Sequence, residues 1–396
     1  MSQRSRPPWR RRAWGLLRAA WMVGLLAGLL PAQAQPAASA PAPGLEFALG
    51  ESVVMVPWGG LTEPALELTL FKPPGEGPFP VVLINHGRAS GPASLQPRYR
   101  PLLAAREFVR RGYLVAVPMR QGFSKSGGGE ISGGCNVHSN GLQQARSVRR
   151  TLGWLASQPF ADVSRNAVLG QSHGGLTTLA YGTEPHAGTR LLVNFAGGLR
   201  QEGCLGWENN LIKAIGEYGA ATRLPSIWFY GDNDSYFAPF IWQGAFDRYM
   251  AAGGRAELVA FGNFGSDAHS MFGQRAGLRI WLAPVLAGMA AAGLSVAVVN
   301  PLPEPADLPA PPDSGFAKVD EVDKVPMRND RARDGYRAWL AADGPKAFAI
   351  HPSLGHWGSS WGGNRANARA LANCDRNAGQ PCKLYAVDDT VVWVPE

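Results

Sequence analysis

The sequence has little from which a metal site could be built. It contains four cysteines and seven histidines among 396 residues. The cysteines form no C-x-x-C pair and the histidines form no H-E-x-x-H motif, which are spacings typical of zinc sites. The sequence therefore predicts neither a metal nor another cofactor.

The net positive charge is also small once the first 34 residues are set aside. The whole chain has a formal charge of +8, but six arginines and no acidic residue lie in residues 1–34, so the remainder carries +2. Binding to nucleic acid needs clustered lysine and arginine, and no nucleic-acid-binding motif is visible. Nucleic acid is therefore not an expected partner.

No apolar run near the N-terminus reaches the length of about 20 residues that a membrane helix needs. Residues 19–30 are apolar, follow an arginine-rich segment and precede the small-residue triplet Ala32-Gln33-Ala34. This order is typical of a secretory signal peptide. We expect cleavage near Gln35, export to the periplasm or beyond, and no stable membrane span afterwards. An uncleaved anchor, and twin-arginine export through Arg11-Arg12, are the alternatives.

Composition divides the rest of the chain into four parts. We predict a flexible Ala/Pro stalk at 35–44, a large domain at 45–295, a proline-rich linker at 296–315 and a small cysteine-containing domain at 316–396.

Short apolar runs alternate with helical patterns in the predicted large domain at 45–295. Residues 81–84 and 114–117 are continuous runs, as in strands that are covered on both faces. Residues 66–70 alternate between apolar and polar side chains, and this pattern predicts an edge strand with one solvated face. Strands are also predicted at 167–170, 191–195, 227–230 and 258–261, with helices at 102–111, 142–156, 176–182 and 273–293. This alternation predicts the α/β class with a mostly parallel sheet, followed by a small α+β unit.

The strongest motif is Gly170-Gln171-Ser172-His173-Gly174, between a predicted strand and a predicted helix. A G-x-S-x-G at such a turn exposes the serine hydroxyl on a sharp elbow. Ser172 is therefore the candidate nucleophile. The backbone N–H of His173 is one candidate oxyanion donor, and Arg88, or alternatively Gly87, is the second.

A serine needs a base, and the base needs a group to orient it. His269 follows the last predicted strand and is the candidate base. Asp234 follows the strand before it and is the candidate acid, with Asp232 and Asp267 as alternatives. His86 is interpreted as a structural residue.

The four cysteines allow three pairings. Cys135 and Cys204 both follow strands of the predicted sheet, so we expect them to pair beside the site. Cys374 and Cys382 are then expected to pair within the C-terminal domain. Aromatic side chains near the predicted site are expected to divide between core and substrate pocket; they are Trp207, Tyr236, Phe237, Phe240, Trp242, Phe264 and Phe272.

The order of these motifs resembles that of the dienelactone-hydrolase-like branch of the α/β hydrolases. It runs from His86-Gly87 through Arg120-Gln121-Gly122 and the serine elbow to Asp267-Ala268-His269. The resemblance covers residues 46–294 and implies an ester, lactone or related acyl substrate. Dienelactone hydrolases carry cysteine at the elbow, so Ser172 favours a general carboxylesterase acting on a small-molecule or polymeric ester.

A peptidase or amidase, and a vestigial cell-envelope binding protein, are the other interpretations. The C-terminal domain resembles small cysteine-containing modules of unknown role, and its partner is not predicted.

Overall fold

The protein is described by a computed structural model for residues 46–57, 65–132, 134–302, 307–362 and 365–395. The predicted signal peptide and stalk lie outside the described residues. Within the described ranges, no helix combines the length and apolar character that spanning a membrane requires.

Eight strands form one sheet. They are β1 (Glu51–Val56), β2 (Leu66–Phe71), β3 (Phe79–Asn85), β4 (Leu114–Pro118), β5 (Ala161–Gln171), β6 (Thr189–Phe195), β7 (Pro225–Tyr230) and β8 (Arg255–Ala260). Their order is β1-β2-β4-β3-β5-β6-β7-β8. β2 is antiparallel to both of its neighbours, and the pairs from β4 to β8 are parallel.

Helices cover both faces of this sheet. They are α1 (Leu102–Arg110), α2 (Val137–Leu155), α3 (His173–Tyr181), α4 (Trp207–Ala221), α5 (Pro239–Ala251) and α6 (Arg275–Ala291). Alternate residues of each strand point to opposite faces. Leu83 and Val168 thus pack with α2 to α5, whereas Val82 and Leu169 pack with α1 and α6. Burying each such side chain contributes about 1.5–3 kcal/mol, so both helical layers are held by the hydrophobic effect.

The prediction of a half-solvated edge strand at residues 66–70 is wrong. β2 is buried at every position and lies between β1 and β4. Its polar residues have partners instead of water: the Glu67 carboxylate accepts a hydrogen bond from the Lys125 backbone N–H at 3.1 Å, and the Thr69 hydroxyl accepts one from Arg98 at 2.9 Å. Buried polar residues with such partners give the same alternation of apolar and polar residues in the sequence as a strand with one solvated face.

The C-terminal part forms a second, antiparallel sheet. Its elements are α7 (Asp330–Leu340), β9 (Lys346–Ile350), β10 (Trp357–Trp361), α8 (Ala366–Ala378), β11 (Lys383–Val387) and β12 (Thr390–Val391), with strand order β10-β9-β11-β12. α7 packs on the face that carries Phe348, and α8 packs on the face that carries Ala349. The predicted α/β-hydrolase sheet and separate α+β unit are therefore confirmed.

The start of the predicted proline-rich linker has no regular structure, yet it is hydrogen-bonded to the C-terminal end of α1. The Arg111 side chain donates to the Val296 carbonyl at 3.2 Å, and the Val299 N–H donates to the Arg110 carbonyl at 2.9 Å. Residues 295–302 therefore lie along the end of α1, and the domain boundary at 295 remains a prediction.

Candidate active site

Ser172 occupies the sharp turn between β5 and α3. Its backbone has φ 58° and ψ −126°, a region that residues other than glycine rarely adopt. Such a conformation costs about 1–3 kcal/mol and persists only where its surroundings fix it. Here the Ser172 N–H donates to the Phe195 carbonyl at 2.9 Å, and the Gly198 N–H donates to the Ser172 carbonyl at 3.1 Å.

Two glycines of the elbow are required by close backbone contact. A Cβ atom at Gly170 would lie 2.1 Å from the Gly174 carbonyl oxygen, and one at Gly174 would lie 2.2 Å from the Asn85 carbonyl oxygen. Any side chain at either position would push β3, β5 and α3 apart. The G-x-S-x-G spacing is thus a packing requirement of this turn.

Asp234 and His269 are paired. The His269 Nδ1 atom lies 3.0 Å from Oδ2 and 3.1 Å from Oδ1 of Asp234, and both side chains are largely buried. Asp234 Oδ1 also accepts hydrogen bonds from the backbone N–H groups of Tyr236 at 2.8 Å and Phe237 at 3.0 Å. Because Nδ1–H donates to the carboxylate, Nε2 of the neutral imidazole is left as a proton acceptor.

The two alternative acids lie elsewhere. Asp232 is exposed to solvent. Asp267 accepts hydrogen bonds at Oδ1 from the His269 backbone N–H at 2.9 Å and at Oδ2 from the Ser235 hydroxyl at 2.7 Å. Burial alone would raise the pKa of Asp267, but the hydrogen bonds from Ser235 and His269 outweigh it and lower that pKa. Asp267 therefore fastens the histidine loop to the acid loop and does not face the imidazole.

Two amide side chains that the sequence did not single out fix the same loops. Asn233 Oδ1 accepts from the Phe264 N–H at 2.9 Å, and Gln171 Nε2 donates to the His269 carbonyl at 3.1 Å. Their only sequence signal is their position, since Asn233 adjoins the candidate acid and Gln171 precedes the candidate nucleophile.

Ser172 and His269 face one cavity of about 280 Å³. Its lining consists of His86, Gly87, Arg88, Ala89, Gln96, Pro97, Tyr99, Met119, Gln171, Ser172, Tyr236 and His269. Among the described contacts, no hydrogen bond joins the Ser172 hydroxyl to the imidazole. Catalytic hydrogen bonds are often long without substrate and shorten when it binds.

The backbone around the candidate oxyanion donors adjoins the elbow. A Cβ atom at Gly87 would lie 3.2 Å from the Ser172 Cβ, so the loop after β3 passes beside the serine. His173 is the first residue of α3, where a backbone N–H has no acceptor within the helix. The Arg88 side chain points away to an ion pair with Glu130, at 2.6 Å.

His86 and His173 lie near the serine, and each is held by hydrogen bonds to groups other than Ser172. His86 Nδ1 donates to the Gly87 carbonyl at 2.6 Å, and its Nε2 accepts from the Arg120 backbone N–H at 3.0 Å. His173 Nε2 donates to Asn140 Oδ1 at 2.8 Å. Burial, followed by the charge of Arg120, holds the pKa of both imidazoles well below the ordinary value. Both rings are therefore neutral structural groups.

Of the aromatic residues expected near the site, only Tyr236 lines the cavity, and its ring stacks on the imidazole at 4.4 Å between centroids. Phe237, Trp242, Phe264 and Phe272 are buried in the core. Trp207 is half-buried on α4, and Phe240 is exposed. Tyr99 and Met119, which the sequence did not single out, form the apolar wall instead.

Both expected disulfides are present. Cys135 and Cys204 are bonded with a Cα–Cα distance of 5.6 Å, and Cys374 and Cys382 with 6.0 Å. Among the described residues, no group of three or more histidine, cysteine, aspartate or glutamate side chains could hold a metal ion.

The sequence profile of the family described as X-Pro dipeptidyl-peptidase (S15 family) matches residues 64–221, less than half of the chain. No curated protein matches the chain.

Solved structures to which the chain is similar include a protein described as a dienelactone hydrolase from Klebsiella pneumoniae, with 18% identity, a TM-score of 0.46, and coverage of 61% of this chain and 98% of the other. An esterase from Pyrococcus furiosus has 15% identity, a TM-score of 0.47 and coverage of 62% and 92%. An acylaminoacyl peptidase from Pyrococcus horikoshii has 17% identity, a TM-score of 0.46 and coverage of 59% and 40%.

The class of protein follows from the topology of the sheet and the geometry of the site. A mostly parallel eight-stranded sheet with an antiparallel second strand, and a serine elbow between β5 and α3, define the α/β-hydrolase fold. With the S15 match across the elbow, the chain is a serine hydrolase of this fold, of the esterase or peptidase type. The resemblance of the C-terminal domain to small cysteine-containing modules stays a prediction.

Proposed function

We propose that the protein is an exported carboxylesterase that forms an acyl-enzyme on Ser172. The observation that carries the proposal is the Asp234–His269 pair, which faces the same cavity as the serine hydroxyl. The two disulfides support export, because such bonds persist in oxidising compartments.

The reaction has two steps. His269 Nε2 takes the proton of the Ser172 hydroxyl as the oxygen attacks the ester carbonyl carbon. The negative charge on the carbonyl oxygen is stabilised by the backbone N–H groups of Arg88 and His173. The imidazolium returns its proton to the leaving alcohol. Water, activated in the same way, then releases the acid from the serine.

The composition of the cavity favours an ester over an N-terminal dipeptide. The S15 match favours a peptidase as second candidate, and a dipeptidyl-peptidase substrate carries a free α-ammonium. A buried ammonium group needs a carboxylate partner. No aspartate or glutamate is among the described residues that line the cavity, and the neighbouring Glu130 is already paired with Arg88. A neutral, short acyl group suits the wall formed by Tyr99 and Met119.

The test is a panel of p-nitrophenyl esters of increasing acyl length beside Gly-Pro p-nitroanilide and a blocked peptide amide. We expect the acetate and butyrate esters to be hydrolysed with kcat/KM at least about 100-fold above that of either amide. Faster cleavage of Gly-Pro p-nitroanilide would replace the esterase with the peptidase.

The nucleophile is tested by labelling with a fluorophosphonate. Wild-type protein should be labelled at Ser172, and Ser172→Ala should not. We expect Ser172→Ala and His269→Ala each to lower kcat by about 10⁴–10⁶, with the double variant little worse, because the two residues act as one unit. Unlabelled, inactive wild-type protein would indicate a binding protein instead.

A further inference from the structure

Arg120 is a buried cation in an unusual setting. Arg120 follows β4 and is fully buried. None of the described ion pairs includes it. Removing a charge from water without an opposite charge costs several kcal/mol. Burial lowers the pKa of Arg120 to about 9, with the charge of Glu130 opposing the shift, so the guanidinium keeps its charge at neutral pH. Such a group needs a compensating set of hydrogen bonds.

Three of the four described hydrogen-bond partners of the Arg120 side chain lie beside the serine: His86, Gly87 and His173. Nη1 donates to the His86 carbonyl, and Nη2 donates to the Gly87 carbonyl at 3.4 Å. Nη2 also lies 3.4 Å from His173 Nδ1, and Nε donates to Gln144 Oε1 at 3.0 Å. One planar side chain therefore contacts both the loop after β3 and the residue after the nucleophile.

The direction of the Gly87 carbonyl has a consequence for the next N–H group. In a trans peptide the C=O and N–H bonds point in opposite directions. The Gly87 carbonyl accepts from His86 Nδ1 at 2.6 Å and from Arg120 Nη2 at 3.4 Å, so the N–H of Arg88 points away from both donors. Ser172 lies beside this peptide, since a Cβ at Gly87 would be 3.2 Å from the Ser172 Cβ.

The other oxyanion donor is held from the same side. The neutral His173 ring accepts from Arg120 through Nδ1 and donates to Asn140 through Nε2 at 2.8 Å. This pair of bonds fixes the first residue of α3, whose backbone N–H is free of helical acceptors.

We propose that Arg120 is a positioning residue that holds the N–H groups of Arg88 and His173 in the geometry of an oxyanion hole. The proposal rests on the proposed function. Arginine suits the position because its rigid fork donates to several acceptors at once, whereas lysine is a single flexible point charge. Arg120→Lys therefore keeps the charge but not the geometry.

The test compares inhibitors that differ in the oxyanion. A trifluoromethyl ketone forms a hemiketal with the serine and places a negative oxygen in the hole, whereas the matching methyl ketone binds mainly as a neutral carbonyl. For Arg120→Lys we expect Ki for the trifluoromethyl ketone to rise by about 10–100-fold and kcat to fall by a similar factor. KM and Ki for the methyl ketone should change by less than about threefold.

Arg111→Met is the matched control. Arg111 is also a largely buried arginine that donates to backbone carbonyls, those of Val296 and Glu107. It differs in pairing with the Glu107 carboxylate at 2.7 Å, and it lies on the α1 side of the molecule. Its loss should lower the melting temperature and leave the ratio of the two Ki values unchanged.

A second variant, Gln144→Leu, tests the proposal even if Arg120→Lys fails to fold. It removes the acceptor of Arg120 Nε and should raise Ki for the trifluoromethyl ketone by about 3–10-fold. An unchanged Ki ratio in the folded variants, with wild-type protein still labelled at Ser172, would overturn the role of Arg120 alone. Wild-type protein that is neither labelled nor active on esters would overturn the proposed function itself.

Discussion

The His269 imidazole meets both carboxylate oxygens of Asp234, with Nδ1 at 3.0 Å from one and 3.1 Å from the other. A carboxylate in this position orients the ring and stabilises the imidazolium formed during catalysis.

Replacing Asp234 by asparagine should keep the fold and lower kcat by about 10³–10⁴, because the amide favours the wrong imidazole tautomer. Asp232→Asn, a change two residues away at an exposed position, should stay within about twofold of wild type. Steady-state kinetics on an aryl ester measure both. The reverse order of losses would assign the acid to Asp232.

Removing the Asp267 side chain should affect the position of His269, the candidate base. Asp267→Ala deletes the acceptor of the His269 and Ser235 N–H groups. We expect kcat to fall by about 10–100-fold, because small displacements of a catalytic group are costly. Asp267→Asn retains one acceptor oxygen and should lose less, about 3–10-fold. Equal losses in the two variants would show that charge, rather than the loop tether, is what matters.

The two disulfides should contribute unequally to stability. The chain-entropy estimate for the bond between Cys135 and Cys204, which are 69 residues apart, is about 4 kcal/mol. For Cys374 and Cys382, which are 8 residues apart, it is about 2.5 kcal/mol. Urea unfolding of the two double Cys→Ser variants without reductant compares them. A larger loss from the shorter loop would contradict the estimate.

Stability should fall on the acid side of neutrality. The pKa values of His86 and His173 are held well below the ordinary value by burial and then by Arg120. As pH falls below about 6.5, the unfolded chain takes up protons that the folded chain does not. The free energy of unfolding then decreases by up to about 1.4 kcal/mol per pH unit for each histidine.

Urea unfolding at pH 7.0, 6.0 and 5.0 measures this slope. The variant His173→Gln removes one of the two groups and should show a shallower slope between pH 6.5 and 5. An identical slope in the variant would mean that His173 takes up its proton in the folded state.

Truncation after Leu302 tests the predicted boundary. The shortened chain keeps the contacts of residues 295–302 with α1. It loses the Arg365–Glu46 ion pair at 3.1 Å and the contact of Asp343 beside Gly265. We expect soluble protein that hydrolyses small esters with a melting temperature a few degrees lower. Insoluble or inactive protein would place the C-terminal domain within the catalytic unit.

The central part of the fold could be predicted because its signal is local. The continuous apolar runs that became β3 and β4 have one interpretation, a strand covered on both faces. β1 was missed, since its pattern is weak: Val53 and Met55 are exposed hydrophobic residues on an edge strand. α4 and α5 were also missed, because their aromatic residues were interpreted as pocket candidates rather than as helix faces packed on the sheet.

The candidate site was predictable where its residues occupy characteristic positions along the chain, directly after strands. Ser172, Asp234 and His269 each follow a strand, and parallel strands bring their carboxyl ends to one edge. The contacts made by Asn233, Asp267 and Arg120 depend on how separate loops meet in space. No spacing in the sequence reports such meetings, so the contacts and roles of these residues emerged only from the structure.

The bond between Cys135 and Cys204 closes a covalent ring in the chain. The ring contains β5, the elbow and α3, so Ser172 lies inside it, whereas Asp234 and His269 lie outside. A protease that cuts the oxidised chain once within the ring opens it without separating it into two fragments. In an environment rich in proteases, a first nick there leaves Ser172 covalently joined to the rest of the molecule.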